Sequence, residues 1–252
     1  SVWLVGAGPG APGLLTVLAL HALRQADVIM YDALVNPDIL SLARPDADKI
    51  IAGKRGGKPS ARQRDISNKL VEHARLGKRV VRLKGGDPLV FGRGGEECET
   101  LIRGDIPYRI VPGITAGIGG LAYAGIPVTH RVTNHVVTFL TGHDSSGDVP
   151  AINWQGIAAG SQVIVIYMAV RQLLPISRLL LENGRDADEP VALVSNATLP
   201  HQSHLLMTLG TVEETLATNE VPTPAIAVVG PVADFAEILA WYGDELRSNP
   251  HG

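Results

Sequence analysis

Short apolar runs alternate with amphipathic stretches along the first half of the chain, and this alternation limits the possible folds more than any other feature. Apolar runs of four or five residues separated by helical periodicity are typical of βαβ units, in which a mostly parallel sheet carries helices on its faces. The predicted strands are residues 2–5, 27–31, 49–52, 79–83 and 108–111, and the predicted helices are residues 14–25, 62–75 and 96–103.

The pair Pro112-Gly113 interrupts this rhythm, which then resumes. In the second half, the predicted strands are residues 135–141, 162–168, 190–194 and 225–229, and the predicted helices are residues 170–182, 212–217 and 232–246. We therefore expect the α/β class, with two doubly wound domains, residues 1–112 and 113–252. We expect the ligand site in a cleft between the domains, because such sheets bind ligands beyond the carboxyl ends of their strands.

Composition excludes several classes of protein. Hydrophobic residues make up 45% of the 252 residues, but no apolar run approaches the roughly 20 residues needed to cross a bilayer. We therefore predict no membrane association. Cys98 is the only cysteine and cannot form an internal disulfide, and no basic and apolar leader opens the sequence. These features predict a cytoplasmic location.

Charge is distributed unevenly between the two halves. Up to Arg131 the chain has 18 Lys and Arg against 12 Asp and Glu, whereas the remainder has 4 against 13. Most of the cations are arginines, whose planar fork suits carboxylate or phosphate. A small polyanionic ligand is therefore expected. Aromatic residues are only 4% of the chain, too few to offer many stacking platforms, so we predict no nucleic-acid partner.

The first predicted strand leads into a loop rich in glycine and proline, VGAGPGAPGLLT (residues 5–16). Gly6, Gly8 and Ala11 satisfy the G-x-G-x-x-G/A dinucleotide fingerprint, and Asp27 and Asp32 follow at a distance suited to a ribose. A nicotinamide-dependent oxidoreductase is therefore one alternative. Its phosphate site requires a helix that begins inside the glycine run, however, and the interspersed prolines and glycines oppose that. An extended loop facing a ligand is the favoured interpretation.

Two further segments are candidates for ligand binding. The loop LKGGDPLVFGRGGEE (residues 83–97) places charged side chains between glycines at the end of a strand, which is typical of a functional site. The segment AGKRGGKPSARQR (residues 52–64) contains five cations and no acid. Such a cluster suits a ligand with many carboxylates, although a solvated surface explains it about equally well. Scattered histidines show no metal-ligand spacing, so no metal site is predicted.

Several of these segments resemble the tetrapyrrole methylases, and among them the uroporphyrinogen III C-methyltransferases. The resemblance runs in order along nearly the whole chain. Its segments are VGAGPG, YDALV, GKRGGK, RLKGGDPLVFGRGGEE, VPGITAG, YAGIPVTHR, TGHD, VIYMA and PAIAVVG. FGRGGEE and YAGIPVTHR are the most specific of these.

The resemblance implies the transfer of two methyl groups from S-adenosylmethionine (SAM) to C2 and C7 of uroporphyrinogen III. The products would be precorrin-2, formed through precorrin-1, and S-adenosylhomocysteine (SAH). Precorrin-2 serves the biosynthesis of sirohaem, cobalamin or haem d1, and the end product is left open. A homodimer with its active site between the domains is also implied. The eight carboxylates of uroporphyrinogen III match the arginine-rich first half in charge.

The resemblance also implies roles for particular residues. Arg93, Glu96 and Asp32 are the candidate catalytic residues, although Asp32 could instead cap a helix or loop, and Arg131 is a candidate substrate ligand. Arg55 and Lys54, from the cationic segment of residues 52–64, are further candidate substrate ligands. Arg93 could assist loss of the proton after methylation, or act electrostatically, because arginine is a poor base. The candidate cofactor contacts are Pro9, Gly85, Gly86, Asp87, Val90, Phe91, Thr115, Ala116, Met168, Ala197, Pro224 and Ala225.

One residue departs from the family pattern. The family usually has Gly-Pro-Gly-Asp in the first loop, whereas Ala11 follows Gly10 here. If that aspartate is a general base, its absence would cost about 10²- to 10⁴-fold in rate and leave binding intact. A catalytically weakened protein that binds SAM and the porphyrinogen is therefore a further alternative.

Overall fold

The computed structural model describes residues 1–52, 63–243 and 246. It divides into two units, Ser1–Thr115 and Ala116–Gly252, each containing one five-stranded sheet. The predicted domain boundary, after residue 112, lies close to this division.

The sheet of the first unit is parallel throughout. Its strand order is β3-β2-β4-β1-β5, so β4 and β1 lie at its centre. The strands are β1 (Val2–Gly6), β2 (Val28–Tyr31), β3 (Asp48–Ile51), β4 (Val80–Lys84) and β5 (Tyr108–Val111). Each predicted strand of this half is present to within a residue at either end.

The helices of the first unit are α1 (Val17–Gln25), α2 (Pro37–Ser41), α3 (Gln63–Arg75) and α4 (Gly94–Arg103). The hydroxyl of Thr16 caps α1 by accepting a hydrogen bond from the amide of Ala19 at 3.1 Å. The short helix α2 was not predicted. Asn36 caps α2, and Pro37 is its first residue, a position that suits proline.

The two faces of this sheet bury different residues of β4. Val81 and Leu83 pack with α1, whereas Val80 packs with the apolar faces of α3 and α4. Because side chains alternate along a strand, Arg82 and Lys84 project from the same face as Val80. Two cations therefore lie under α3 and α4, in the interior of the unit.

The second unit confirms the α/β class, but its sheet is mixed. Its order is β6-β7-β10-β8-β9, where only β6 and β7 are parallel. The strands are β6 (Val137–Thr141), β7 (Val163–Tyr167), β8 (Pro190–Ser195), β9 (Ser203–Thr208) and β10 (Ala225–Val229). The expectation that the second half repeats the parallel rhythm was therefore wrong. The unpredicted strand β9 is a largely exposed edge strand, which weakens its apolar signal.

The α-helices of this unit are α5 (Ala116–Tyr123), α6 (Trp154–Gly160), α7 (Leu173–Glu182), α8 (Val212–Thr218) and α9 (Phe235–Ile238). The helix predicted at residues 232–246 was too long, since α9 ends at Ile238. Beyond it, Trp241 donates to the carbonyl of Ala122 at 2.8 Å, and Tyr242 donates to that of Thr198 at 3.2 Å. These bonds hold the segment in a non-helical path. Within the described ranges, no helix is long and apolar enough to span a bilayer.

Candidate active site

The loop after β1 is extended and is bonded to the loop after β4. Ala7 donates its amide hydrogen to the carbonyl of Lys84 at 2.7 Å, and Gly8 and Gly86 exchange main-chain hydrogen bonds at 3.1 and 2.8 Å. A 3₁₀ turn, Pro12–Leu14, follows, and α1 begins only at Val17. No α-helix starts inside the glycine run of residues 5–16, so the dinucleotide phosphate cradle is not formed and the nicotinamide alternative loses its structural basis.

Three glycines allow the loops after β1, β4 and β5 to pack together. A Cβ atom on Gly6 would lie 2.5 Å from the Cα of Gly113 and 2.7 Å from the carbonyl oxygen of Gly86. Gly86 itself has φ +66°, in the left-handed region that favours glycine. The carboxyl edge of the first sheet therefore presents closely packed main chain, as expected where a backbone approaches a ligand.

Asp87, a predicted cofactor contact, uses both of its carboxylate oxygens within the protein. Oδ1 accepts from the amide of Leu89 at 2.8 Å, and Oδ2 accepts from the amide of Gly113 at 3.0 Å. The side chain therefore ties the loop after β4 to the loop after β5. The predicted cofactor residues of the first unit that belong to these loops are Pro9, Gly85, Gly86, Asp87, Val90, Phe91 and Thr115.

Two non-glycine residues in the loop after β4 adopt left-handed backbone conformations. Phe91 has φ +50° and Arg93 has φ +58°. Such conformations are uncommon outside glycine and cluster at functional sites, where the surroundings hold them in place. Here the adjacent Gly94 donates its amide hydrogen to the carbonyl of Pro88 at 3.0 Å, which closes the loop. The strain is consistent with a loop shaped for binding.

Arg93 and Glu96, both predicted to be catalytic, form an ion pair at the start of α4. Arg93 donates through Nε to Oε1 of Glu96 at 2.9 Å and through Nη2 to Oε2 at 2.7 Å. Both side chains are 55% exposed. The hydrogen bonds raise the pKa of Arg93 and lower that of Glu96. Arg93 therefore stays protonated, which favours its electrostatic role over a role as a base.

Asp32, the third predicted catalytic residue, lies directly after β2 at the carboxyl edge of the sheet. Its side chain is 28% exposed, and Oδ1 accepts a hydrogen bond from Nη2 of Arg82 at 2.5 Å. Asp32 is thus the accessible end of an ionic cluster whose other members are buried: Arg82, Lys84 and Glu97.

Glu97 holds the buried part of this cluster together. Its Oε1 accepts from Nε of Arg82 at 3.0 Å, from Nζ of Lys84 at 3.2 Å and from Nε2 of Gln63 at 2.9 Å. Arg82 and Lys84 are each 2% exposed, and Glu97 is fully buried. Burial, followed by the charge of Arg82, lowers the pKa of Lys84.

Arg82 and Glu97 are not among the predicted site residues, although the sequence carries a signal for both. Gly94, Glu97, Cys98 and Leu101 form the buried face of α4 with the i, i+3, i+4, i+7 spacing of an amphipathic helix. This spacing assigns Glu97 to the interior and Glu96 to the surface. Arg82 lies within β4, every residue of which is buried, and a charge in such a strand requires a buried partner.

Asp27, a candidate ribose ligand under the nicotinamide alternative, lies at the opposite edge of the sheet. It precedes β2, and its carboxylate accepts hydrogen bonds from Arg79 at 2.7 to 3.1 Å and from Arg44 at 3.1 Å. The hydrogen bonds from Arg79 lower the pKa of Asp27 well below its usual range. Asp27 therefore has a structural role at the amino ends of the strands.

In the second unit, the predicted cofactor residues lie at one edge of the sheet. Met168, with φ +55°, follows β7, and Ile226 of β10 pairs with Tyr167, so Ala225 lies beside Met168. The hydroxyl of Tyr167 accepts from the amide of Gly117 at 3.0 Å, which holds the start of α5, where Ala116 lies, at the same edge.

Ala197 and Pro224 also meet at this edge. The amide of Asn196 donates to the carbonyl of Pro224 at 2.8 Å, and Ala197 lies between Asn196 and Thr198, which have φ +49° and +70°. Gln202 supports this loop by accepting from the amide of Thr198 at 2.7 Å. The predicted residues 116, 168, 197, 224 and 225 are therefore neighbours in the folded unit.

The candidate substrate ligands are not all at these edges. Arg131 is exposed in the turn before β6. The amides of His135 and Val136, which follow this turn, donate to Oε1 of Gln162 just before β7. The turn therefore leads into the amino ends of β6 and β7, whereas Met168 follows the carboxyl end of β7. Lys54 and Arg55 lie outside the described residues. Among the residues that the structure does describe, no cluster of three or more potential metal ligands was found.

The family profile that matches this chain and the proteins similar to it indicate the same family. The profile of the family described as Tetrapyrrole (Corrin/Porphyrin) Methylases matches residues 1–213. A Sinorhizobium protein named uroporphyrinogen-III C-methyltransferase is 65% identical over 244 residues, which cover 96% of this chain and 87% of that protein. A siroheme synthase of Neisseria meningitidis serogroup A is 50% identical over 252 residues, covering 99% of this chain. The match spans 51% of that synthase, about half its length.

Solved structures resemble the chain along most of its length. The uroporphyrin-III C-methyl transferase of Thermus thermophilus, complexed with S-adenyl homocysteine, has a TM-score of 0.81 and 39% identity. The alignment covers 92% of this chain and 98% of that one. The cobalt precorrin-4 methyltransferase CbiF has a TM-score of 0.82 and 27% identity, with coverage of 92% and 95%. The fold and its two loop-bearing sheets are therefore those of an α/β methyltransferase. The chain belongs to the tetrapyrrole methylase family.

Proposed function

We propose that this chain methylates uroporphyrinogen III at C2 and C7 with SAM as the methyl donor, giving precorrin-2 through precorrin-1. The observation that carries the proposal is the 65% identity, over 96% of the chain, to a protein named for this activity. The neighbour whose structure contains S-adenyl homocysteine supports SAM as the donor.

The donor would bring an electrophilic methyl group on a positively charged sulfur. An electron-rich pyrrole carbon of the substrate forms the new C–C bond while the S–CH₃ bond breaks, and its electron pair stays on sulfur in neutral SAH. The positive charge passes to the tetrapyrrole, which then loses a proton. The main task of the protein is to align the two molecules, and alignment alone lowers such barriers by roughly 7 to 11 kcal/mol.

In the first unit, we assign donor binding to the three packed loops. Pro9, the main chain of Gly85–Asp87, Val90, Phe91 and Thr115 would contact the donor. In the second unit, we assign it to the edge that carries Ala116, Met168, Ala197, Pro224 and Ala225. The glycine packing and the left-handed residues support these assignments, because both are typical of backbone that approaches a ligand closely.

We assign binding of the porphyrinogen carboxylates to cationic side chains. We place the Asp32 carboxylate beside the pyrrole ring that is methylated. Arg93, Arg131, Lys54 and Arg55 would pair with carboxylates of the substrate, and Glu96 would orient Arg93 through the ion pair already present. The Asp32 carboxylate would stabilise the positive charge that develops on the tetrapyrrole or accept its proton. We further propose that the chain works as a cytoplasmic homodimer, for which light scattering would measure the mass.

The test is incubation of the chain with uroporphyrinogen III and SAM labelled in the methyl group. We expect two labels per tetrapyrrole and one SAH per label. Calorimetry with SAH and with uroporphyrinogen III measures binding separately. Binding of both without transfer of label would establish the weakened homologue that Ala11 suggests. Binding of neither would refute the proposed function altogether.

A further inference from the structure

The ionic cluster beneath Asp32 is larger than a simple ion pair requires. Asp32, Arg82, Glu97 and Lys84 join three elements of the first unit: the end of β2, the central strand β4 and the buried face of α4. Only Asp32 has appreciable exposure, and the other three side chains are sealed from solvent.

The guanidinium of Arg82 is held in one orientation. Its Nε is bonded to Glu97, and its Nη1 donates to the carbonyls of Met30 and Leu83 at 3.4 and 3.2 Å. The remaining arm, Nη2, reaches Asp32. Because the fork of arginine is planar and rigid, fixing two arms fixes the direction of the third. The position of the Asp32 carboxylate therefore depends on Arg82, and that of Arg82 depends on Glu97.

Stability does not account for such a cluster. Buried ion pairs cost desolvation free energy that their attraction often fails to recover, and apolar replacements of similar volume are frequently as stable or more stable. Among the described residues, Oε2 of Glu97 has no hydrogen-bond partner, which adds to this cost. Costs of this kind are characteristic of functional sites, where side chains behind the reacting groups fix their geometry.

We propose that Arg82 and Glu97 are positioning residues for methyl transfer: Glu97 locks Arg82, and Arg82 aims the Asp32 carboxylate at the reacting tetrapyrrole. This inference rests on the proposed function. Glu97 is fully buried, so in this arrangement it acts on the reaction through Arg82 and Asp32. Lys84 shares Oε1 of Glu97 and balances its charge in the interior.

The test is a double-mutant cycle with Arg82→Lys and Asp32→Asn. Lysine retains the charge but lacks the fork that joins Glu97 to Asp32. We expect Arg82→Lys to lower kcat by about 10- to 100-fold, in the range caused by a displacement of about 1 Å at a reacting group. The KM for uroporphyrinogen III and the Kd for SAH should stay within about threefold. The double variant should be no slower than the slower single variant, because both changes remove one function.

Arg185→Lys is the matched control. Arg185 is also a mostly buried arginine, paired with Glu189 and bonded to the carbonyl of Ala158, but it belongs to the second unit and no catalytic role is assigned to it. We expect it to lower Tm without changing kcat. If Arg82→Lys does not fold, Glu97→Gln replaces it in the cycle. Glutamine keeps the volume of Glu97 but lacks the negative charge that holds Arg82. A loss of kcat in the same direction, at constant KM, is therefore expected.

Four outcomes would contradict the inference. If Arg82→Lys keeps the wild-type kcat, or if its effect multiplies fully with that of Asp32→Asn, the two residues act independently and only the inference fails. If Arg185→Lys lowers kcat as much as Arg82→Lys, the effect is one of general stability, and again only the inference fails. If the wild-type chain transfers no label, the proposed function fails, and the inference fails with it.

Discussion

The carboxylate of Asp87 accepts a hydrogen bond at 3.0 Å from the main-chain amide of Gly113, 26 residues further along the chain. The other carboxylate oxygen accepts from the amide of Leu89. One side chain thus joins two loops at the carboxyl edge of the first sheet, and the geometry of the proposed donor site depends on it.

We predict that Asp87→Asn weakens SAH binding by about tenfold. An asparagine has one acceptor oxygen in place of two, so one of the two amides loses its partner. The loss costs about 1 to 3 kcal/mol, and part of this cost reduces the free energy of SAH binding. Isothermal titration calorimetry with SAH measures the change. Asp186→Asn is the control, because Asp186 makes a similar local bond to the amide of Asp188 in the second unit. Equal affinities of Asp87→Asn and the wild type would contradict the prediction.

Gly113→Ala should destabilise the first unit by about 1 to 3 kcal/mol, because overpacking against backbone cannot be relieved by a change of rotamer. The new Cβ would lie 2.7 Å from the Cα of Gly6 and would also overlap the carbonyl oxygen of Gly86. Thermal unfolding of the variant measures the loss. Gly160→Ala is the control, since no atom of the described residues outside its own helix and chain neighbours lies within 4 Å of its Cβ position. A Gly113→Ala variant as stable as Gly160→Ala would show that the loops are less tightly packed than described.

Local signals predicted the first unit well, because its strands are buried apolar runs and its connections are helices. The strand Tyr108–Val111 was predicted at the observed bounds. Strand direction in the second unit was beyond such signals, since Ile226 and Tyr167 become partners only when distant segments pair. The same limit applies to the site. The spacing of apolar residues along α4 marks Glu97 as buried and Glu96 as exposed. That Glu97 pairs with Arg82 and Lys84 becomes visible only when α4 packs against β4.

Arg93→Ala should raise the KM for uroporphyrinogen III by about fivefold, equivalent to ~1 kcal/mol for one exposed ion pair. SAH affinity should be unchanged, because the assigned contribution of Arg93 is to the carboxylates of the substrate. Steady-state kinetics with varied uroporphyrinogen III measures the effect. Arg178→Ala, which removes an exposed arginine paired with Glu213 at 2.9 Å in the second unit, is the control. An unchanged KM for Arg93→Ala would remove this residue from the binding assignment.

Asp27→Asn should lower Tm at neutral pH, and the difference from the wild type should shrink in acid. Hydrogen bonds from Arg79 lower the pKa of Asp27 in the folded state, whereas the unfolded value is about 3.9. The folded state therefore binds the proton less readily, so this contribution to stability is complete above the unfolded pKa and is lost as the pH falls through the folded one. Scanning fluorimetry at pH 7 and pH 3 measures both differences.

The exposed Asp188 supplies the control variant, Asp188→Asn, for which we expect little change in Tm at pH 7. Because Asp27 lies at the amino ends of the strands, the affinity of Asp27→Asn for SAH should match that of the wild type. A Tm difference that stays constant between pH 7 and pH 3 would show that the ion pair is not its source.

Ala11→Asp distinguishes two explanations of the departure from the family pattern. Ala11 is the N-cap of the 3₁₀ turn Pro12–Leu14, and its carbonyl accepts from the amide of Leu14 at 3.0 Å. Aspartate is favoured at N-caps of helices because its carboxylate accepts from main-chain amides, which contributes about 0.5 to 2 kcal/mol. If the family aspartate is such a cap, Ala11→Asp should raise Tm and change kcat by less than about tenfold. If the aspartate is a general base, kcat should rise by about 10²-fold or more. We expect the first result, because Ala11 is the N-cap of a helical turn and this position alone explains a preference for aspartate.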